Sequence, residues 1–302
     1  MIESTIDFFC CPKCQGKLII KQANLFCLKC REKYPIINSH LISFFKANLV
    51  QDKKSLAKWN DFYQEKGYSK KDEKKYFNLH RQLIQDINDL VSLDKVNFLE
   101  IGCGPMFLGQ HLASKCRFVV GIDFSLEALK LAQKMFQEKK IKNYLLIQAD
   151  LVAIPIKKNV FGFVYGGGVI EHFRDTGVVL EQIYRVLKKG GVALNTVPVF
   201  NLGVIYRQFW GNIPNLPILR PLTEFVHFRL LPGHHLRFGY ELSFLPKQLI
   251  GLHRQAGFKK ATVSKFEIKN SFEYLPKWLR LLAVKISKHR LFWPMIQIVA
   301  HK

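Results

Sequence analysis

The chain has 302 residues, 48% of them hydrophobic, which excludes an intrinsically disordered protein and allows one α/β domain with a small additional module. A formal charge of +23 favours anionic partners such as nucleic acid or an anionic lipid surface, although scattered lysines that serve solubility explain it equally well. No stretch approaches the ~18 uninterrupted apolar residues of a membrane-spanning helix, and no signal peptide precedes the first cysteines, so we expect a cytoplasmic protein.

The first predicted module, residues 1–46, contains two C-x-x-C pairs separated by twelve residues. Each pair supplies two thiolates from one tight turn, and four thiolates complete the tetrahedral coordination of zinc. The predicted ligands are Cys11, Cys14, Cys27 and Cys30. Because no coordination position remains for water, the zinc would be structural; a redox-active dithiol is the alternative. The short apolar runs predict a few short strands, with too little apolar mass for a separate core.

This module resembles the zinc ribbons of the Trm112 type, which are fused to or partnered with many methyltransferases. The resemblance lies in the two cysteine pairs and in the Tyr34-Pro35-Ile36 segment that follows them. It covers most of the module and implies a structural zinc ion.

Residues 47–95 are rich in lysine, and apolar residues recur among them at helical spacing. We expect helices that lead into the next domain and cover it. From residue 97, short apolar strands alternate with helices, and strands are expected at 98–101, 118–122, 144–147, 160–165 and 192–195. This alternation predicts an α/β fold, namely a Rossmann-like, doubly wound and mostly parallel sheet, within a domain that spans 47–302.

Residues 197–244 interrupt the alternation with aromatic and apolar residues mixed with proline, arginine and histidine. We expect this insertion to form a cap over the substrate. Beyond it, the sequence predicts a helix over 249–256, a strand over 260–266, a basic helix over 278–286 and a last strand over 296–300.

Glycines and acidic residues stand at the ends of the first three predicted strands of this domain. Glu100-Ile101-Gly102-Cys103-Gly104 closes the first strand, Asp123 closes the second, and Asp150 follows the third. Glycines let backbone N–H groups approach a ligand, but Phe107 occupies the third glycine position of a dinucleotide fingerprint. Three acidic residues repel a pyrophosphate and suit a ligand with a ribose, an adenine and an ammonium group. The alternative is that Glu100 and Asp123 only cap the helices that follow them.

These motifs resemble the class I S-adenosylmethionine-dependent methyltransferases of the methyltransferase type 11 group. The resemblance runs from about residue 98 to the C-terminus. Besides the glycine-containing segment at Glu100, its motifs are residues 120–125, 148–151, 169–172 and 187–191. It implies S-adenosylmethionine as cofactor, with Glu100, Gly102 and Gly104 around the methionine part, Asp123 on the ribose hydroxyls, Phe124 on the adenine ring, Asp150 with Leu151 at the adenine edge, and Gly166 beside the sulfonium. One departure is Phe161-Gly162, where the group usually has Phe-Asp.

A general base is needed only if the acceptor carries a proton of high pKa. The candidates are His172, after the fourth strand, and His235, in the His-x-Arg-Phe stretch ahead of the late helix. In related enzymes that stretch lies over the substrate, whereas a histidine at position 172 more often has a structural role.

Three functions remain open from the sequence. An aromatic cap with interspersed arginines favours a small-molecule or lipid-like acceptor. The zinc ribbon and the basic surface favour an RNA acceptor, but the 166–169 segment lacks the Asn/Asp-Pro-Pro-Tyr/Phe loop of base-amine methyltransferases. A non-catalytic scaffold is opposed by the three intact acidic residues. The basic helix over 278–286 either contacts a membrane surface peripherally or forms a solvated basic face.

Overall fold

The computed structural model describes residues 1–45, 53–66, 70–202, 212–231, 239–266 and 275–302. The strands are β1 (Leu18–Lys21), β2 (Asn24–Cys27), β3 (Lys33–Asn38), β4 (Leu41–Ser43), β5 (Asn97–Ile101), β6 (Phe118–Asp123), β7 (Tyr144–Gln148), β8 (Phe161–Gly167), β9 (Leu187–Pro198), β10 (Ile213–Pro214), β11 (Leu242–Ser243), β12 (Lys260–Lys265) and β13 (Met295–His301). The helices are α1 (Ile2–Thr5), α2 (Lys53–Lys66), α3 (Lys70–Leu79), α4 (Arg81–Leu90), α5 (Phe107–Leu112), α6 (Leu126–Glu138), α7 (Thr176–Val186), α8 (Leu219–Phe225), α9 (Pro246–Gln255) and α10 (Lys277–Ile286).

The centre of the fold is a sheet in the order β7-β6-β5-β8-β9-β13-β12. The pairs from β7 to β9 are parallel, whereas β13 runs antiparallel to both β9 and β12. The predicted Rossmann-like α/β fold is therefore confirmed. The chain order reverses between β5 and β8, and in open sheets of this kind a crevice forms outside the carboxyl ends at that point.

Two apolar clusters pack against the sheet. One contains the fully buried Leu83 and Ile87 of α4 together with Phe136 of α6. The other contains Val179 of α7 and Leu249 of α9. Helix α4 thus packs against the sheet through its buried face.

The cysteine-rich module extends the same sheet. Strand β4 pairs in parallel with β7, with Ile42 opposite Ile147, so the sheet has eleven strands within the described ranges. The rings of Tyr34 and Phe44 pack with centroids 4.8 Å apart, and both side chains belong to the apolar cluster that contains α7. Apolar side chains of the module therefore share the core of the larger domain.

Helix α2 packs against α6, whose N-terminus directly follows the carboxyl end of β6. The Ser125 hydroxyl donates to Asn60 Oδ1 at 2.7 Å and accepts from Ala128 N at 3.2 Å, which caps α6. In the predicted cap, the described residues form the parallel pair of β10 and β11, helix α8 and a π-helical turn over Val226–Leu230. Among the residues described, every helix is too short or too polar to traverse a lipid bilayer.

Candidate active site

A tight glycine turn connects β5 to α5. Gly102 and Gly104 have φ angles of +54° and +49°, a left-handed conformation that glycine adopts without steric cost. A Cβ atom on Gly102 would lie 2.6 Å from Cγ2 of Val169, and one on Gly104 would lie 2.6 Å from Oη of Tyr63. The turn is therefore enclosed by α2 and by the segment after β8, and a larger residue at either position would displace these neighbours.

The carboxylates of Glu100 and Asp123 accept hydrogen bonds from the backbone around this turn. Gly109 N donates to Glu100 Oε2 at 2.8 Å, and Gly104 N donates to Asp123 Oδ2 at 2.8 Å. Ser125 N donates to the second oxygen of Asp123, also at 2.8 Å. Glu100 thus binds an amide in the first turn of α5, and Asp123 anchors both the glycine turn and the start of α6.

Burial raises the pKa of both carboxyl groups. Glu100 is 6% exposed, and desolvation raises its pKa to about 8, with a further contribution from Asp123. Desolvation also raises the pKa of Asp123 to about 6, although the surrounding backbone amides oppose the change. A cation beside these groups would favour their ionised forms. The pair is therefore suited to a positively charged ligand.

The other predicted cofactor residues lie along the carboxyl edge of the sheet. Phe124 follows β6, and Asp150 follows β7; both are half-buried. Asp150 Oδ1 accepts a hydrogen bond from Val152 N at 3.1 Å, and burial raises the pKa of this carboxyl group. Leu151 is buried, and Gly166 lies one residue before the end of β8. Their roles toward a nucleoside stay predictions.

A cavity of about 210 Å³ opens beside the glycine turn, where the strand order reverses. One wall comes from the ends of β5 and β8 and includes Glu100, Gly102, Gly167 and Gly168. The other walls are mainly aromatic and include Tyr76, His80, Tyr165, Phe266 and Met295. Clefts at this position of open α/β sheets are the usual ligand sites.

His80 and Tyr76 form a wall of this cavity that the sequence did not predict. Their rings stack with centroids 4.1 Å apart, and His80 Nδ1 donates to the Tyr76 carbonyl at 2.8 Å. This bond selects the tautomer in which Nε2 is the proton acceptor. Burial lowers the pKa of His80, which favours its neutral form. No local motif marks either residue.

Of the two histidines predicted as candidate bases, His172 is not among the residues that line the cavity. Its Nδ1 donates to the Tyr240 carbonyl at 2.7 Å, and its ring meets Trp59 edge-on at 6.2 Å. These contacts join the segment after β8 to α2 and to the end of the cap. His235 lies outside the described residues.

Gly162, where related sequences usually have aspartate, lies against Val96. A Cβ atom at this position would lie 2.6 Å from Val96 Cγ1. The departure from the family pattern therefore has a packing reason and removes no group from the cavity.

The four predicted zinc ligands come together in the ribbon. The Sγ atoms of Cys11, Cys14, Cys27 and Cys30 lie within 4.8 Å of one another, and two of the Sγ pairs are 3.5 Å apart. Tetrahedral zinc with thiolates at about 2.3 Å requires sulfur separations of about 3.8 Å, so the cluster fits this ion. The Tyr34 hydroxyl lies 3.1 Å from Cys11 Sγ and would donate to the bound thiolate.

Comparison with known sequences places a methyltransferase domain in this chain. Residues 99–195 match the profile of the methyltransferase type 11 family, described as a methyltransferase domain. A demethylmenaquinone methyltransferase of Lactiplantibacillus plantarum is 28% identical over 163 residues, which cover 49% of this chain and 62% of the relative. One from Staphylococcus carnosus is 34% identical over 98 residues, covering 30% and 40%. The chain thus spans less than two thirds of the length of these relatives.

Solved structures share the fold. A structure of the Haloferax volcanii Trm112 methyltransferase activator in complex with a methyltransferase matches with a TM-score of 0.56 and 14% identity, covering 83% of this chain and 98% of the matched chain. The Haemonchus contortus phosphoethanolamine N-methyltransferase 2 in complex with S-adenosyl-L-methionine matches with a TM-score of 0.52 and 20% identity, covering 81% and 60%. At these identities the likeness establishes a methyltransferase fold.

Proposed function

We propose that this chain transfers a methyl group from S-adenosylmethionine to a small-molecule or lipid-like acceptor held in the cavity between β5 and β8. The observation that carries this proposal is the buried pair of Glu100 and Asp123 beside the glycine turn. Ionising two buried carboxyl groups with raised pKa values is costly without a positive partner, and a cationic adenosyl ligand would supply one.

The chain's own residues provide binding and orientation for that ligand. S-adenosylmethionine supplies an electrophilic methyl group on a positively charged sulfonium. Asp123 would accept hydrogen bonds from the ribose hydroxyls while Gly104 N and Ser125 N fix its carboxylate. Phe124 would pack against the adenine, and Asp150 with Leu151 would contact its edge. Gly102 and Gly104 let the backbone approach the ligand closely.

The cavity walls favour an apolar acceptor that contains a ring and carries an ionisable proton. Tyr76, Tyr165 and Phe266 provide aromatic surfaces, which suit planar apolar groups. We assign the general base to His80, because it lines the cavity and its Nδ1 bond leaves Nε2 as the proton acceptor. Demethylmenaquinone, for which the curated relatives are named, is the first acceptor to test.

We also propose that the four cysteines hold one structural zinc ion, as in the Trm112-type ribbons that the module resembles. Four thiolates fill a tetrahedral site, so the ion would stabilise the ribbon and take no part in methyl transfer.

The proposal is tested with the purified full chain and isotope-labelled S-adenosylmethionine. Separate reactions contain demethylmenaquinone, a lipid extract, a soluble metabolite extract or total RNA. We expect label in a small-molecule or lipid product with the wild type and a strong reduction with Asp123→Asn. Label found only in RNA would overturn the acceptor assignment. Absence of S-adenosylmethionine binding by calorimetry would overturn the proposal as a whole.

A further inference from the structure

Helix α10 exposes a row of large apolar side chains. It packs against the rest of the protein through Ala283, and Ser287 directly after the helix is also buried. On the outward side, Trp278 is 70% exposed and Leu281 is 71% exposed, with Leu282 at 49%. These three residues are spaced i, i+3 and i+4, so they lie on one helical face. Single exposed apolar residues are common, but a contiguous row that includes tryptophan indicates a surface that contacts a protein partner or a membrane.

The charges around this row are positive. Lys277 and Lys285 are exposed at the two ends of α10, and Lys288 and Arg290 are exposed just beyond it. No aspartate or glutamate occurs from residue 275 to the C-terminus, and no carboxylate of the described residues forms an ion pair with these four cations. Among the described residues, the face therefore combines an apolar centre with a basic border.

We propose that α10 is a docking helix that lies in the headgroup region of an anionic lipid bilayer. Helices with an apolar face and a basic polar face bind in the plane of such an interface, and tryptophan prefers this depth because its ring is apolar and its N–H is polar. Charge complementarity selects an anionic membrane. RNA would account for the lysines but not for the exposed leucines and tryptophan, because phosphate contacts require no apolar surface.

The cap supplies a second exposed apolar surface. Ile218 is 84% exposed, Leu222 is 58% exposed and Leu230 is 62% exposed. The beginning of the cap lies beside the segment that follows α10, since Asn201 Nδ2 donates to the Arg290 carbonyl at 3.1 Å. Membrane attachment through α10 would therefore bring the beginning of the cap toward the lipid surface.

The test is flotation of the full chain with vesicles of phosphatidylcholine alone or mixed with phosphatidylglycerol, in the absence of cofactor and acceptor. We expect binding to the anionic vesicles and much weaker binding to the neutral ones. Lys277→Gln with Lys285→Gln should weaken the partition coefficient about fivefold for each lysine. Trp278→Ser with Leu281→Ser should weaken it by at least about tenfold. A blue shift of tryptophan emission on vesicle addition should be reduced in Trp278→Phe.

Two matched controls change the same residue types elsewhere. Lys188→Gln with Lys189→Gln removes two exposed lysines from the start of β9, and Leu28→Ser removes an exposed leucine from the ribbon. Both should bind vesicles like the wild type. The proposal is overturned if the wild type does not bind, if neutral vesicles bind equally well, or if the controls lose as much affinity as the α10 variants. Salt-sensitive RNA retention that only the lysine variant loses, without vesicle binding, would assign the face to nucleic acid. Since neither cofactor nor acceptor is present, failure here leaves the proposed methyl transfer untouched.

Discussion

The substitution Asp123→Asn tests the electrostatic basis of the candidate site. In the wild type, both carboxylate oxygens accept backbone hydrogen bonds, from Gly104 N and from Ser125 N, each at 2.8 Å. Asparagine has only one acceptor oxygen, so one of these amides would face its NH2 group. Asparagine is also neutral, so the proposed hydrogen bonds from the ribose hydroxyls would lose a charged acceptor, which costs about 1.5 to 3 kcal/mol. We therefore expect affinity for S-adenosylmethionine to fall between about tenfold and about 150-fold.

The pH dependence provides a second readout with a defined sign. The pKa of Asp123 is about 6 in the ligand-free chain, and a cationic ligand favours the ionised form. Wild-type affinity should therefore rise by about tenfold from pH 5 to pH 8 on account of this group. Asp123→Asn should lose this rise in affinity. It should keep the rise in affinity that comes from Glu100, whose pKa is about 8.

Stability of the ligand-free chain should change in the opposite direction. Because the pKa of Asp123 is raised on folding, the folded chain holds a proton that the unfolded chain has lost between about pH 4 and pH 6. Wild-type stability therefore decreases as pH rises through this window, by up to about 3 kcal/mol. Asp123→Asn should flatten the decrease in thermal unfolding midpoints. The control is Glu138→Gln, which removes the same charge from an exposed position at the end of α6. Unchanged affinity together with an unchanged pH slope would refute the reasoning.

Three further changes test the metal, the base and the packing. Metal analysis should find one zinc per chain. Cys14→Ser should remove the zinc and lower the melting temperature by at least about 5 °C, since the ribbon shares the main core. The control Cys10→Ser changes a cysteine outside the cluster and should retain the metal. His80→Gln should lower kcat by about 100- to 10,000-fold and abolish the acid limb of the kcat–pH profile, while its affinity for S-adenosylmethionine stays at the wild-type value. The matched variant His40→Gln should keep wild-type kcat and affinity. A loss confined to cofactor affinity in His80→Gln would instead place His80 at the cofactor. Gly162→Asp should cost about 1 to 3 kcal/mol of unfolding free energy through overpacking, and Val96→Ala should recover part of it; a neutral Gly162→Asp variant would contradict the close contact.

The regular alternation of strands and helices was predictable because each segment is coded by its own local pattern. Apolar runs such as Phe118–Asp123 are bounded by glycine and polar residues, so their extent follows from neighbouring residues alone. The acidic positions followed from the same rule, since successive parallel strands place their carboxyl ends on one edge. The cysteine spacing predicted equally directly that the four thiols lie together.

What the sequence did not predict depends on contacts between distant segments. The pairing of β4 with β7 joins Ile42 to Ile147, more than one hundred residues apart, and no local signal distinguishes this pairing from a closed ribbon. The cavity likewise combines His80 of the helical leader with Phe266 near the end of the chain. A histidine search limited to recognisable motifs led to His172, which is not among the residues that line the cavity. Tertiary packing, which sequence periodicity does not report, decides which histidine reaches the cavity.

The arrangement of backbone amides decides between a cationic nucleoside and a dinucleotide. In dinucleotide-binding folds, the amides at the turn and at the start of the first helix face the pyrophosphate. In this chain, Gly104 N donates to Asp123 and Gly109 N donates to Glu100, so the protein's own carboxylates already occupy these donors. A pyrophosphate would have to displace two buried acids and would meet their repulsion wherever they are ionised. A positively charged ligand is instead attracted to the ionised carboxylates, because its charge offsets the desolvation that raises both pKa values. The glycine turn alone fits either kind of nucleotide, but the two carboxyl groups that accept from these amides favour a positively charged ligand.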